Sequence, residues 1–531
     1  MKKIIVTEKI SDKGIALMQA AKDVEVDVRF DIDRAELLKI IPNYDAIIVR
    51  SVTKINEEFY QHVSPRLKVV GRAGNGVDNI QMEGATKRGI IVVNTPESNT
   101  VSAAEHTIDL MLASSRNLVK AHNRLVSRVW SRDGLKGSEL FGKTIGIIGL
   151  GRIGGLVATR LQAFGMRVIA YDPYIATARF EKYGAEKKET LADLLKEADF
   201  ITVHTPKTDE TFGMIGEEEF KLVKKGVRVV NCARGGIINE DALLKALKTG
   251  VVASAGIDVL LDEPNPTSPL IDMDNCVVTP HIGADTEEAQ NNVGLTIAKE
   301  VLSALRGEMV PNAVNLPTLL PQELESMKHF LTLGEILGKV YHQIEKDAVE
   351  KVAITYKGEV ATLETSMLTR AVLKGLFEPV MKEQVNYVNA TVIAESRGIT
   401  VTESKETAAA TSSYLNLIKL EIGGKKGVFT ISGTLFGRDE LRIVEVCGYE
   451  FDVTPSPYML VAQNSDMPGM IGQIGTLLGV SKVNIATMQV SRNHKENKAM
   501  MFLTVDSEVE KETVRLIGSI DGIIKVNFVK L

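Results

Sequence analysis

An apolar run, Ile145-Gly146-Ile147-Ile148, breaks into Gly149-Leu150-Gly151-Arg152-Ile153-Gly154 and then into the helical pattern VATRLQAF. Few folds accept a buried strand that ends in G-x-G-x-x-G and opens a helix. The first glycine allows the tight turn, the second lets a pyrophosphate approach the backbone, and the third permits close helix–strand packing. Free N–H groups at the helix start then meet the phosphate charge. The glycine spacing alone is weak, because glycines are common in turns; the strand–turn–helix setting makes it specific. The next strand, RVIAYDP, carries Asp172 at its tip, about 20 residues past the last glycine. A carboxylate there hydrogen-bonds the adenosine ribose hydroxyls and repels a 2′-phosphate, which predicts NAD rather than NADP. Arg152, inside the turn, is either a phosphate contact or a solvated surface arginine.

The turn has an odd address, with a long chain on both sides. The 531 residues are too many for one core, so two to four domains are expected. Before the turn, short apolar strands recur in KKIIVTE, DVEVDVRF, DAIIVRS, LKVVGRAG and GIIVVNTP, the pattern of a small α/β domain with a mainly parallel sheet. A helix is predicted over 101–120, with Ser102 and Glu105 at capping-box spacing. After the turn come RVIAYD, DFITVHTP, RVVNCARG, SAGIDV and CVVTPHIG, enough for a full dinucleotide-binding domain. A further helix is predicted over 286–306, with Asp285 as N-cap and Glu288 three residues on. The proline-rich PNAVNLPTLLPQ reads as an interdomain linker. A mixed region over 318–452 contains the hairpin NLIKLEIGGKKGVFTISG, and the segment after DVTPSPY reads strand, helix, strand, strand, helix, strand.

Charge and cysteine content narrow the partners. Lys and Arg number 63 against 68 Asp and Glu, a formal charge of −5, which argues against nucleic acid or an anionic membrane as main partner. No apolar run reaches the roughly 18 residues needed to span a bilayer, and Glu8 ends the N-terminal apolar run too early for a secretory signal. The three cysteines form no CxxC pair, so a reduced, cytoplasmic enzyme is expected.

Three later strands end in groups suited to chemistry. RVVNCA leads into Arg234, GIDVLLD into Glu263, and VVTP into His281. In an open parallel sheet these loops emerge at the carboxyl edge, where the cofactor binds. Oxidising a secondary alcohol needs a base for the hydroxyl proton, and histidine suits. A nearby carboxylate orients the ring and favours its charged form, while arginine grips a carboxylate bidentately. Arg234 is therefore expected to hold a substrate carboxylate, His281 to move the proton and Glu263 to tune His281, on a 2-hydroxy acid or its 2-oxo partner. The other histidines (62, 106, 122, 204, 329, 342 and 494) are read as structural or surface groups, and no spacing suggests a metal site.

The segments GRAGNGVDNI, GLGRIG, NCARGGIINEDAL, GIDVLLDEP and VVTPHIGADTEEA resemble the D-2-hydroxyacid dehydrogenase family. RSVTKI and WSRDGLKGSELFGKTIGIIGLGRIG bring the chain closest to the long-form branch that oxidises 3-phosphoglycerate with NAD in serine synthesis. The resemblance implies a Rossmann NAD-binding domain (99–287) inserted in a flavodoxin-like substrate domain (1–98 and 288–316). An α/β intervening domain (317–454) and a βαββαβ ferredoxin-like ACT domain (455–531) follow. It implies substrate contacts at Arg50, Ser51, Asn75 and Gly76, with Arg72 and Arg132 as phosphate ligands, Arg132 across a dimer interface beside Trp130. Asn75 is a departure, since some relatives carry Thr there. NAD contacts are implied at Arg152, Ile153, Asp172, Thr205, Ala233, Arg234, Asp258, His281 and Gly283. In NSDMPGMIGQIGTLLGVSKVNI, Asn464, Asp466 and Asn484 sit where relatives bind serine, and Pro468-Gly469 opens a helix able to receive a carboxylate. L-serine is thus the implied effector, the alternative being a plain dimerisation module, and a homo-oligomer, a dimer of dimers, is implied. Lys425, Lys426, Arg438 and Arg442 are either an anion site or a solvated face. A glyoxylate or hydroxypyruvate reductase and a non-enzymatic NAD sensor are the other functional readings.

Overall fold

The computed structural model describes every residue except 318, 320, 346, 382–384, 408–413 and 494–495, and, for Pro321, the side chain. His494 therefore lies outside the described residues.

The first sheet is parallel and contains β1 (Lys2–Val6), β2 (Val24–Val28), β3 (Ala46–Val49), β4 (Val69–Arg72) and β5 (Ile91–Val93), in the order β2-β1-β3-β4-β5. Ile4, Ile5, Ile47 and Ile48 are all fully buried, because helices cover both faces of the sheet. The chain leaves after β5 and comes back. Helix Glu287–Leu305 packs on β4, so close that a Cβ at Gly71 would lie 2.7 Å from Val301 Cγ2. The same helix meets helix Asp12–Gln19 where Gly14 faces Gly294. The stretch expected as a linker then pairs with the sheet edge, Val314 donating to the Val92 carbonyl at 2.7 Å.

The second sheet holds β6 (Thr144–Ile148), β7 (Arg167–Tyr171), β8 (Glu186–Lys187), β9 (Phe200–Val203), β10 (Val227–Asn231), β11 (Val252–Ile257) and β12 (Cys276–Val278). Its order, β12-β11-β10-β9-β6-β7-β8, reverses direction beside β6 and so leaves a crevice at the end of that strand. β8 is two residues long and was not legible as a strand. The helix expected over 101–120 is two helices, Thr100–Ser115 and Leu118–Val126, parted by Asn117 at φ 54. Asparagine tolerates that left-handed conformation, and one such residue ends an α-helix. The capping box at Ser102 and Glu105 does not form. Ser102 hydrogen-bonds Thr286 at 2.8 Å, and Glu105 pairs with Arg160. Asp285 does not cap the later helix either; Thr286 does, accepting from the Ala289 amide at 3.1 Å.

The third sheet comprises β13 (Val349–Gly358), β14 (Thr400–Glu406), β15 (Asn416–Gly424), β16 (Gly427–Phe436), β17 (Glu440–Val446) and β18 (Tyr449–Val453), ordered β14-β13-β15-β16-β17-β18. β15 and β16 are the expected hairpin. The fourth sheet has β19 (Tyr458–Ser465), β20 (Ile485–Asn493), β21 (Lys498–Val505) and β22 (Ile523–Lys530), ordered β20-β21-β19-β22, with two helices on one face. Its other face does not stand apart. Met459, Val461, Phe502 and Val529 share one core with Tyr341, Phe451 and Val453 of the preceding unit. Arg442 is paired on both sides, with Glu440 at 2.8 Å and Asp452 at 3.0 Å.

Candidate active site

The three glycines of the turn have three environments. Gly149 has φ 89 and lies against the His204 carbonyl. A Cβ on Gly154 would fall 2.2 Å from the Gly149 carbonyl, so helix Arg152–Ala163 rides directly on the turn. A Cβ on Gly151 would meet nothing within 4 Å: the turn is open there. No side chain caps this helix, so its first amides face the same opening. The turn is fixed from two sides, since the Leu150 amide donates to Asp172 Oδ2 at 3.0 Å and Arg179 Nε donates to the Leu150 carbonyl at 3.0 Å. Thr205 has a buried Oγ1 with no partner among the described residues. Open backbone, uncapped helix start, carboxylate tip and orphaned hydroxyl fit a dinucleotide. Arg152 is exposed and pairs with Glu97 at 3.2 Å, across the crossing between the two sheets. Ile153, beside it, is half-buried.

Arg234, Glu263 and His281 come together through their loops. Asn231 shapes the first, accepting from the Ala233 amide at 2.9 Å and donating to the Arg234 carbonyl at 3.0 Å. Gly235 permits close approach to the second, since a Cβ there would lie 1.9 Å from the Leu260 carbonyl. The Leu260 amide donates to Glu263 Oε1 at 2.8 Å, and Glu263 Oε2 lies 2.7 Å from His281 Nδ1. Burial alone would raise the Glu263 carboxyl, but His281 and the Leu260 amide outweigh it and hold it below its ordinary range. His281 and Glu263 both remain accessible to solvent.

Asp258, expected at the cofactor, is buried beneath the His281 loop. Its carboxylate accepts from Thr279 Oγ1 at 2.6 Å and from the Ile282 and Gly283 amides, both at 2.9 Å, while its carbonyl accepts from the His281 amide at 2.8 Å. His106, read as an ordinary histidine, is part of this cluster: its Nε2 lies 3.2 Å from Asp258 Oδ1 and 3.1 Å from Thr279 Oγ1. The hydrogen bond to Asp258 raises the His106 imidazole against the effect of burial. Helix Thr100–Ser115 brings His106 there from far away in sequence, so no local signal marked it.

The first sheet contributes the other wall. Arg234 Nε pairs with Asp78 Oδ2 at 3.2 Å, and its Nη1 donates to the Ala233 carbonyl at 2.7 Å. Gly76 makes room, because a Cβ there would lie 2.0 Å from Arg234 Nη2. Arg72 is pushed down to about 10, first by burial and then by the charges of Arg234 and Arg50, and its Nη1 lies against Gly74, two residues before the Gly76 that Arg234 Nη2 lies against. The Arg72 Nε is buried without a partner among the described residues. Asn75 follows Arg72 and has its carbonyl held by Asn94 at 2.6 Å. Ser51 is exposed beside Arg50. Arg132 is exposed after helix Leu118–Val126.

In the fourth sheet's unit the three expected effector residues are not joined. Asn464 is buried and its Oδ1 lacks a partner among the described residues. Asp466 pairs with Arg492 at 3.5 Å, and Asn484 donates to Asp506 at 2.6 Å. Gly469, in the left-handed conformation, is the N-cap of helix Met470–Val480, with Pro468 before it.

Comparison with known proteins agrees with this geometry. Residues 108–283 match the D-isomer specific 2-hydroxyacid dehydrogenase NAD binding domain, and residues 326–447 match the D-3-phosphoglycerate dehydrogenase intervening domain. The D-3-phosphoglycerate dehydrogenase of Archaeoglobus fulgidus is 43% identical over 100% of both chains. The chain belongs to the D-3-phosphoglycerate dehydrogenase family. The Bacillus subtilis D-3-phosphoglycerate dehydrogenase is 40% identical, again over 100% of both chains. Among solved structures, D-lactate dehydrogenase from Aquifex aeolicus complexed with NAD and lactic acid is similar with a TM-score of 0.54 and 29% identity, covering 59% of this chain and 100% of that one. The chain is accordingly an NAD-dependent oxidoreductase of this family. Among the described residues no helix is long and apolar enough to cross a membrane.

Asp172 at the tip of β7 offers a direct test of cofactor choice. If Asp172 is the ribose acceptor that its place predicts, Asp172→Ala removes that acceptor and the repulsion of a 2′-phosphate. The NAD-over-NADP ratio in kcat/KM is expected to fall by about 10-fold or more, the size of one lost charge-assisted hydrogen bond. An unchanged ratio would remove Asp172 from that role.

Proposed function

We propose that the protein oxidises 3-phospho-D-glycerate to 3-phosphooxypyruvate with NAD, the first step of L-serine synthesis. The observation that carries the substrate choice is that one segment gathers the arginines: Arg72 Nη1 lies against Gly74, Arg234 Nη2 lies against Gly76, and Asn79 holds the Arg50 carbonyl, while the buried Arg72 Nε has no partner among the described residues. Asp78 already pairs with Arg234, but the Arg72 Nε stays unpartnered among the described residues, and this substrate brings a carboxylate and a phosphate that guanidinium groups grip. Arg234, with Asn75 and Gly76 beside it, holds the carboxylate, while Arg50 and Arg72, with Ser51, hold the phosphate end.

Gly149, Gly151, Gly154, Arg152, Ile153, Asp172, Thr205, Ala233 and Gly283 hold the cofactor in this reading. NAD, when bound, accepts the hydrogen and electron pair leaving C2. The protein manages the proton. With Nδ1–H donated to Glu263, His281 keeps its Nε2 lone pair for the C2 hydroxyl proton. The imidazolium that results faces a carboxylate, which stabilises it. Asp258 acts from below by holding the loop in place. Initial-rate assays with NAD are expected to show turnover of 3-phosphoglycerate well above that of D-lactate or glycerate, and the reverse order would overturn the substrate choice.

The regulatory reading is feedback by L-serine at the fourth sheet's unit, supported by its βαββαβ order and the orphaned Asn464 Oδ1. Asp466 holds the effector ammonium. Asp466→Asn is expected to weaken serine inhibition by about 10-fold or more, one charge-assisted contact being lost, with kcat kept. Turnover unmoved by millimolar serine in the parent enzyme would leave the unit as scaffold. Self-association is the last element of the proposal. Leu118, Leu125 and Val126 on helix Leu118–Val126 and Trp130 just after it are all exposed, Trp130 at 82%. Such a patch fits a second copy of this chain, which sedimentation of the enzyme reads directly.

A further inference from the structure

The loop that carries Arg50 and Ser51 is gripped from both sides by two residues that have no other evident task. Glu8, just past the end of β1, accepts three amides: Arg50 and Thr53 on Oε1, both at 2.9 Å, and Val52 on Oε2 at 3.1 Å. Asn79, buried in the loop after β4, donates both hydrogens of Nδ2, one to the Arg50 carbonyl at 2.8 Å and one to the Thr53 carbonyl at 2.7 Å. Five hydrogen bonds thus hold three of the four residues from Arg50 to Thr53. The one amide of these four that Glu8 does not take is that of Ser51, and it has no partner among the described residues. Among the described residues the Arg50 guanidinium hydrogen-bonds only the Lys9 carbonyl, at 3.3 Å.

We infer that Glu8 and Asn79 are positioning residues for substrate phosphate, rigidifying residues 50–53 so that the Ser51 amide and the Arg50 guanidinium stay free and aimed at one anion. This rests on the substrate reading proposed above. A flexible exposed loop would have to be ordered each time substrate bound, and that ordering would be subtracted from affinity. Glu8 orders it in advance. The Glu8 carboxylate faces the loop backbone, where three amides stabilise its charge. Burial raises Glu8, and these backbone hydrogen bonds outweigh burial to keep it ionised below the ordinary carboxylate range. The arrangement acts on binding and not on proton transfer, because Glu263 and His281 stand on loops of the other sheet.

Glu8→Gln and Asn79→Leu, each close in shape to the original, test this on the full-length enzyme with two readouts. Amide hydrogen exchange, which needs no substrate, is expected to speed up at Arg50, Val52 and Thr53 in Glu8→Gln by about 10-fold or more, as for loss of a hydrogen bond to a charged group. Unchanged exchange there overturns the clamp, whatever the substrate. Steady-state kinetics read its purpose: KM for 3-phosphoglycerate is expected to rise about 10-fold or more in both variants, with kcat within about threefold and NADH binding unchanged. Loosened exchange with an unchanged KM overturns the positioning role, as does an equal loss of NADH binding, which marks general disorder. If the parent enzyme does not oxidise 3-phosphoglycerate, the proposed function falls, while the exchange experiment still decides the clamp.

Discussion

His281→Asn is expected to lower kcat by about 10²- to 10⁴-fold, the usual contribution of a positioned general base, with NADH binding retained. The separation is possible because the loop does not depend on the ring. Its backbone is held by Asp258, through the Ile282 and Gly283 amides and the His281 amide itself. Asparagine is the informative replacement. His281 has φ 55, a left-handed conformation that asparagine accepts more readily than alanine. The variant therefore keeps the loop and loses only the base. Glu263→Gln keeps a hydrogen-bond partner for Nδ1 but removes the charge that stabilises the imidazolium. It is expected to cost less, about 10- to 100-fold. Because Glu263 acts through His281, the double variant is expected to be no worse than His281→Asn alone. A further drop in the double variant would give Glu263 an independent role. Retention of more than a tenth of parent kcat in His281→Asn would remove it as the base.

Much of this site was legible because it follows the strand–loop grammar of an open parallel sheet. Gly149, Gly151 and Gly154 have the turn, opening and close packing that their spacing predicts. Arg234, Glu263 and His281 follow successive strands, and a sheet of this kind delivers successive loops to one edge. In the structure the chain returns to the first sheet after the second, helix Glu287–Leu305 packing on β4. What stayed hidden depends on contacts between distant segments. Asp78 belongs to the quoted GRAGNGVDNI, yet its partner Arg234 is in the other sheet. Glu8 marked only where an apolar run stopped, although a polar residue just past the carboxyl end of a parallel strand is a signal for a site. His106 looked like any helix histidine until packing set it on Asp258. The misplaced caps are local competition: Ser102 and Thr286 are adjacent in space, and Thr286, being a better-placed hydroxyl, takes the cap expected of Asp285. The shared core of the last two sheets was invisible for another reason. Near-continuous burial in β19 and β21 says that two faces are covered but not which element covers the second.

Arg234→Gln is expected to reduce kcat/KM for 3-phosphoglycerate by about 10²- to 10³-fold, as when one partner of a desolvated charge pair is removed and the other is left unpaired. The guanidinium is set before substrate arrives. Its Nε is tied to Asp78 on the first sheet and its Nη1 to the Ala233 carbonyl on the second, so one side chain spans both walls of the cleft. Lysine cannot reproduce this, because an ammonium is a point donor without a planar fork. Arg234→Lys is therefore expected to recover little of the loss. If it restored most of kcat/KM, charge alone would suffice and the fixed plane would be irrelevant. Gly76→Ala gives an orthogonal check that leaves the arginine in the sequence. A methyl there would collide with Arg234 Nη2 and with Asp78 Oδ2, so the pair would have to move apart. Kinetics of Gly76→Ala are then expected to resemble a milder Arg234→Gln, with KM for 3-phosphoglycerate raised and KM for NAD little changed. Parent kinetics in Gly76→Ala would mean that the guanidinium binds substrate from more than one position, and that the Asp78 contact does not set its aim.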